Sequence, residues 1–166
     1  MLKPVVSNSS PIIHLAKIDQ LHLLEGLFGE IIIPEAVYKE CIIEGKGRSE
    51  VSRILKASWL RMVPVQNQIL VKLLNSEIDQ GESEAITLAL ETNASLILLD
   101  DADAREKARL YKLQITGIIG VLLRSKKSGN IESLAPILDR LRNTGFWLSD
   151  KIITRLLIEA GEGVSA

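Results

Sequence analysis

The chain has 166 residues, a formal net charge of −1 and a single cysteine, Cys41. That length suits one domain with a substantial core, and one thiol excludes both an intrachain disulfide and a cysteine-rich zinc site. Hydrophobic residues make up 46% but aromatics only 4%, which favours aliphatic helix-on-sheet packing and leaves few platforms for stacked bases. A charge near zero also argues against a protein that coats nucleic acid by bulk attraction, although a local basic rim beside an acidic centre is compatible with it. Met1-Leu2-Lys3-Pro4 does not begin an apolar leader and no apolar run approaches transmembrane length. The expectation is a reducing, cytoplasmic setting without membrane contact.

In chain order, Val5-Val6-Ser7 reads as a first strand that stops at Asn8-Ser9-Ser10-Pro11, where Pro11 fits a first helical turn. A helical pattern covers 12–28 with a break near Asp19, and Glu30-Ile31-Ile32-Ile33 is a β-branched second strand. Helix follows over 35–43, then a loop at Gly45-Lys46-Gly47-Arg48-Ser49, a short helix over 50–57 and an edge-like strand over 59–65 limited by Pro64. Helices over 69–78 and 82–92 flank Gln80-Gly81, a fourth strand spans 95–99, and a basic helix covers 102–113. A brief strand over 114–116 and helices over 118–127, 131–142 and 149–160 complete the pattern. Strands alternating with helices at this spacing predict an α/β fold with a parallel sheet covered by helices.

The apolar run Leu96-Ile97-Leu98-Leu99 ends in Asp100-Asp101-Ala102-Asp103. Open α/β sheets bind ligands beyond the carboxyl ends of their strands, which is where these acids fall. Clustered like charges need a cation, a proton or bulk water. One aspartate is accounted for as the cap of the next helix, and the others are not. Glu40 sits beside the apolar positions Val37 and Cys41, as an acid either turned inward or snorkelling to water. Glu84, in Gly81-Glu82-Ser83-Glu84-Ala85, suits the positive end of a helix, but it also shares a side with Leu88 on a helix whose Ala85 and Ala89 allow close packing. Such an oxygen-rich, cysteine-free set suits Mg²⁺ or Mn²⁺ and the chemistry of phosphodiester hydrolysis. Arg105, Lys107, Arg109 and Lys112 on one helix, with Arg124, Lys126 and Lys127 on the next, read either as phosphate contacts or as solvated faces. Gly45-Lys46-Gly47-Arg48-Ser49 lacks the spacing of a P-loop, and His14 and His22 have no companion ligands.

In order and spacing, five stretches together resemble the PIN-domain superfamily of metal-dependent ribonucleases, in particular a PIN-like branch related to toxin ribonucleases. They are Val5-Val6-Ser7-Asn8-Ser9-Ser10-Pro11, Ile33-Pro34-Glu35-Ala36-Val37-Tyr38-Lys39-Glu40, Gly81-Glu82-Ser83-Glu84-Ala85-Ile86, Leu98-Leu99-Asp100-Asp101-Ala102-Asp103-Ala104-Arg105 and Thr116-Gly117-Ile118-Ile119-Gly120. The resemblance implies a three-layer α/β/α fold around a parallel sheet of about five strands. It places a PIN-like domain over 1–130 and a helical extension over 131–166 packed on the same domain. It further implies an endoribonuclease using Mg²⁺ or Mn²⁺, with RNA as substrate. Such an enzyme can act as the toxin of a pair, with a small antitoxin protein as partner and a homodimer as its assembly. By motif, Glu40, Glu84, Asp100 and Asp101 are the metal-holding and catalytic acids, and Asp103 is a further metal ligand. The family's first acid is replaced by Asn8, which supplies an oxygen but no charge. Asn8 is therefore both a catalytic candidate and the reason to weigh an alternative, a catalytically weakened module that binds nucleic acid or protein. Ser9, Ser10, Arg105, Arg109, Arg124, Lys126 and Lys127 are the expected nucleic-acid contacts.

Overall fold

A computed structural model describes residues 2–163, so Met1 and the last three positions of the expected 131–166 extension lie outside the described residues. Among the described residues five strands, β1 (Val5–Ser7), β2 (Ile31–Ile33), β3 (Leu60–Met62), β4 (Leu96–Leu98) and β5 (Ile115–Thr116), form one parallel sheet in the order β3-β2-β1-β4-β5. The chain builds outward from β1 in one direction and then returns to build outward in the other. The segments leaving β1 and β4 therefore diverge and open a crevice between two neighbouring strands. The register pairs Val5 with Leu96, Val6 with Ile97 and Ser7 with Leu98, and Asn8 N–H continues the ladder to Leu98 O at 3.0 Å. Asn8 is thereby carried to the end of β4.

Side chains alternate across the sheet with the strand period of two. Val5, Ile31, Ile33, Leu96 and Leu98 join one buried cluster, whereas Val6, Ile32, Ile97 and Leu99 join another. The first cluster is closed by α1 (Ser9–Lys17), α2 (His22–Phe28), α4 (Ser49–Leu55) and α8 (Ile118–Lys127). It also takes in Leu138 and Leu141 of α9 (Ala135–Arg142) and Leu156 of α10 (Asp150–Glu159). The second is closed by α5 (Gln68–Leu74), α6 (Gln80–Glu91) and α7 (Ala102–Leu110). Helices thus cover both faces of the sheet, and the fold is the three-layer α/β/α arrangement.

Several local details depart from simple periodicity. The break near Asp19 is present, and Asp19 takes a left-handed backbone with φ of 57°, which ends the first helical run. The helix after β2 begins as α3 (Glu35–Tyr38) and continues as a π-helical segment, Lys39–Ile43, closed by Glu44 N–H to Lys39 O at 2.9 Å. No helix of the described residues is long and apolar enough to cross a membrane. Ile97 is fully buried between β1 and β5. Its replacement by Ala is expected to lower stability by about 2–5 kcal/mol, measured as a urea midpoint shift at constant slope.

Candidate functional site

Four helix N-termini, those of α1, α6, α7 and α8, and the π segment converge on the carboxyl edge of the sheet, around the divergence of β1 and β4. Asn8 occupies the N-cap position of α1 but its side chain makes no capping hydrogen bond. The residue is 5% exposed, and its Oδ1 is buried without a partner. A buried amide oxygen with nothing to accept costs free energy, so its retention points to an absent donor or cation.

Glu40 reaches the same place from the π segment. Ser9 Oγ donates to Glu40 Oε2 at 2.9 Å, which leaves Oε1 free. A Cβ added to Gly81 would collide with that Oε1 and would stand 3.5 Å from Asn8 Oδ1. The two oxygens therefore crowd one point, and only glycine's bare backbone leaves them room. The extra residue in each turn of a π segment re-aims side chains relative to an α-helix, and such segments recur at functional sites.

The third member is Glu82, which the expected set omits. It is buried in the first turn of α6 and belongs to a reciprocal capping box with Asp79. Glu82 N–H donates to Asp79 Oδ1 at 2.8 Å, and Asp79 N–H donates to Glu82 Oε2 at 3.2 Å. Burial, then repulsion from Asp79, Asp101 and Glu40, pushes the Glu82 carboxyl up to about 7 against the opposing Asp79 hydrogen bond. Glu40 is also raised, by burial first and then by Asp79, Glu44 and Glu84, with Ser9 acting in the other direction. Asp79 thus acts on both Glu40 and Glu82, and Glu82 also feels Asp101 and Glu40. In the sequence, Glu82 stands three, four and seven positions before the fully buried Ala85, Ile86 and Ala89. That spacing and the Asp-x-x-Glu box are the signals that single it out.

The remaining acids are already engaged. Glu84 accepts Ala36 N–H on Oε1 at 3.1 Å and Gln80 Nε2 on Oε2 at 2.6 Å, so it caps the start of α3. Asp100 accepts Ile118 N–H on Oδ1 at 2.9 Å and Ser10 Oγ on Oδ2 at 3.4 Å, tying α1 to α8 across the crevice. Burial raises its carboxyl, while Ile118, Ser10 and Arg105 pull it down. Asp101 caps α7 through Oδ2, to Ala104 N–H at 3.0 Å, and keeps Oδ1 free. Asp103 is exposed and lines an open cavity with Glu77, Ile78, Glu106, Lys107 and Leu110, apart from the Asn8–Glu40 point.

The two serines spend their hydroxyls on Glu40 and Asp100. Arg105 lies within electrostatic range of Asp100. Arg109 is exposed in the last turn of α7. Arg124, Lys126 and Lys127 occupy the last turn of α8, which starts at the crevice and runs roughly 10 Å or more away from it. Lys126 is committed there to Glu162, with Nζ to Oε2 at 3.1 Å.

Among the described residues no three His, Cys, Asp or Glu side chains stand together closely enough to form a finished metal cage. Two oxygens do meet, the orphaned Asn8 Oδ1 and the free Oε1 of Glu40, with Glu82 within electrostatic range of Glu40 and Asp101 within range of Glu82. Hard, oxygen-loving divalent cations match that set in type and sign.

Residues 4–162 match the model of a family described as a PIN domain. No curated protein matches the chain.

Two measurements probe the site without reference to turnover. Gly81→Ala, which drives a methyl into Glu40, is expected to cost about 1–3 kcal/mol in chemical unfolding. The second is the pH dependence of stability. With a folded pKa of about 7 against an ordinary 4.5, Glu82 binds more protons folded than unfolded between those values. In metal-free buffer its contribution should therefore fall as pH rises from about 4.5 through 7, and Glu82→Gln should flatten that part of the profile.

Proposed function

The chain belongs to the PIN-domain family, and from that premise we propose that it is a divalent-metal-dependent endoribonuclease. The observation that carries this reading is the meeting of Asn8 Oδ1 and Glu40 Oε1 beside Glu82, at the switch point of a parallel sheet. Asn8, Glu40 and Glu82 would hold Mg²⁺ or Mn²⁺, with Asp101 adding charge. A bound cation polarises a phosphodiester and lowers the pKa of water.

The chain's own residues account for the rest. Ser9 fixes Glu40 by one oxygen and leaves the other facing Asn8. Ser10 and Ile118 N–H hold Asp100, so α1 and α8 keep a fixed separation beneath a bound strand. Glu82 Oε1 takes no hydrogen bond in the capping box and is left available to the cation. In hydrolysis a water oxygen bonds to phosphorus, the bond from phosphorus to one ester oxygen breaks, and a proton ends on that leaving oxygen.

A second reading rests on Asn8. Exchanging a carboxylate for an amide removes one unit of charge from the point where the donors meet, and cation affinity follows ligand charge. The chain would then be a weakened module that still binds nucleic acid or protein. Asn8→Asp separates the two readings: tighter Mn²⁺ binding with faster cleavage supports the ribonuclease, whereas no change in either favours the binding module.

Incubation of the purified protein with RNA oligonucleotides and Mn²⁺ tests the main reading. Cleavage that stops on chelation and falls about a hundredfold or more in Glu40→Gln is the expected result. Equal cleavage by both proteins, or cleavage that survives chelation, contradicts it.

A further inference from the structure

Arg105 stands apart from the other basic residues of the two helices that leave the crevice. It lies in α7 one turn beyond the cap Asp101, with Arg105 N–H bonded to Asp101 O at 3.0 Å. Its guanidinium is close enough to Asp100 to lower that carboxyl, yet it forms no ion pair among the described residues. Asp100 instead accepts Ile118 N–H on one carboxylate oxygen and Ser10 Oγ on the other. Arg105 Nε is buried with no acceptor at all. Lys107 and Lys126, by contrast, are spent on Glu77 and Glu162.

A buried guanidinium N–H left without an acceptor is costly, and the cost is recovered when a ligand supplies one. An acidic centre repels a phosphate unless a positive group meets it from the side, and the arginine fork matches the geometry of phosphate oxygens. We propose that Arg105 is the substrate-orienting residue of this centre, its guanidinium taking a non-bridging oxygen of the RNA phosphate that lies over Asn8, Glu40 and Glu82. The assignment rests on the ribonuclease reading and deepens it. One arginine at the crevice, not a broad basic face, sets the phosphate in place, which accords with a net charge of −1.

The test measures binding of a single-stranded RNA oligonucleotide with EDTA present, across a salt series, for wild type, Arg105→Gln, Arg105→Lys and Arg155→Gln. Arg155 is an exposed residue of α10 and serves as a charge-matched control. Loss of one phosphate contact should lower the slope of log affinity against log salt by about 0.7 in Arg105→Gln, with affinity down about tenfold at low salt. Arg105→Lys should regain the slope, because the charge returns. Its Mn²⁺-dependent kcat should stay low while KM recovers, because the fork does not return. A residue that merely offsets the charge of Asp100 would give full recovery of kcat in Arg105→Lys, and that result overturns the assignment. So does an Arg105→Gln slope equal to wild type, or equal to that of Arg155→Gln. Wild type that neither binds RNA nor cleaves it with Mn²⁺ overturns the ribonuclease reading itself. Wild type that cleaves while Arg105→Gln matches it overturns Arg105 alone.

Discussion

Repulsion among carboxylates sharing one sheet edge is the constraint around which the functional end of the molecule is organised. Burial first, and then the charges of Asp79, Asp101 and Glu40, raise the Glu82 carboxyl to about 7, while burial followed by Asp79, Glu44 and Glu84 raises Glu40. The fold tolerates the cluster through three devices. Helix N-termini supply donors to Asp101, Asp79 and Asp100. Serine hydroxyls of α1 fix Glu40 and Asp100. Glycines stand where any Cβ would displace a carboxylate, Gly81 against Glu40 and Gly117 against Asp100. Each device fixes a carboxyl group in place, by a hydrogen bond or by the room that a glycine leaves.

The fold was largely legible in the chain. The β-branched run Ile31-Ile32-Ile33, the apolar run ahead of Asp100 and the alternation of strand and helix patterns indicate a parallel sheet, because a strand buried on both faces has to be apolar throughout. The π segment was not legible. Its register depends on tertiary packing, and no residue type marks a five-residue hydrogen-bonded turn. Helical spacing alone therefore left Glu40 with two orientations, and the π segment selects the one facing Asn8.

The acids of the site were legible as a group and less so as individuals. Glu82 and Glu84 stand two positions apart at the start of one helix, and helix-dipole reasoning treats them alike. Burial separates them. Glu82 lies over the small, fully buried Ala85 and Ala89 and is carried inward, whereas Glu84 turns to the open N-terminus of α3. Asp100 and Asp101 divide in the same way, one tying two helices together and the other capping α7 while facing the cluster. The basic residues were the hardest to place. Charge runs along α7 and α8 carry no record of helix direction relative to the sheet, and direction is what sends Arg124, Lys126 and Lys127 away from the crevice.

The proposed ribonuclease activity requires the Asn8–Glu40–Glu82 point to bind a divalent cation. Calorimetric titration of Mn²⁺ into metal-free protein at pH 7, in two buffers of different ionisation enthalpy, tests it most directly. The account predicts saturable binding accompanied by proton release, with the release lost and the affinity reduced in Glu82→Gln. Absence of saturable heat up to millimolar Mn²⁺, or binding identical in Glu82→Gln with no proton released by either protein, would contradict it.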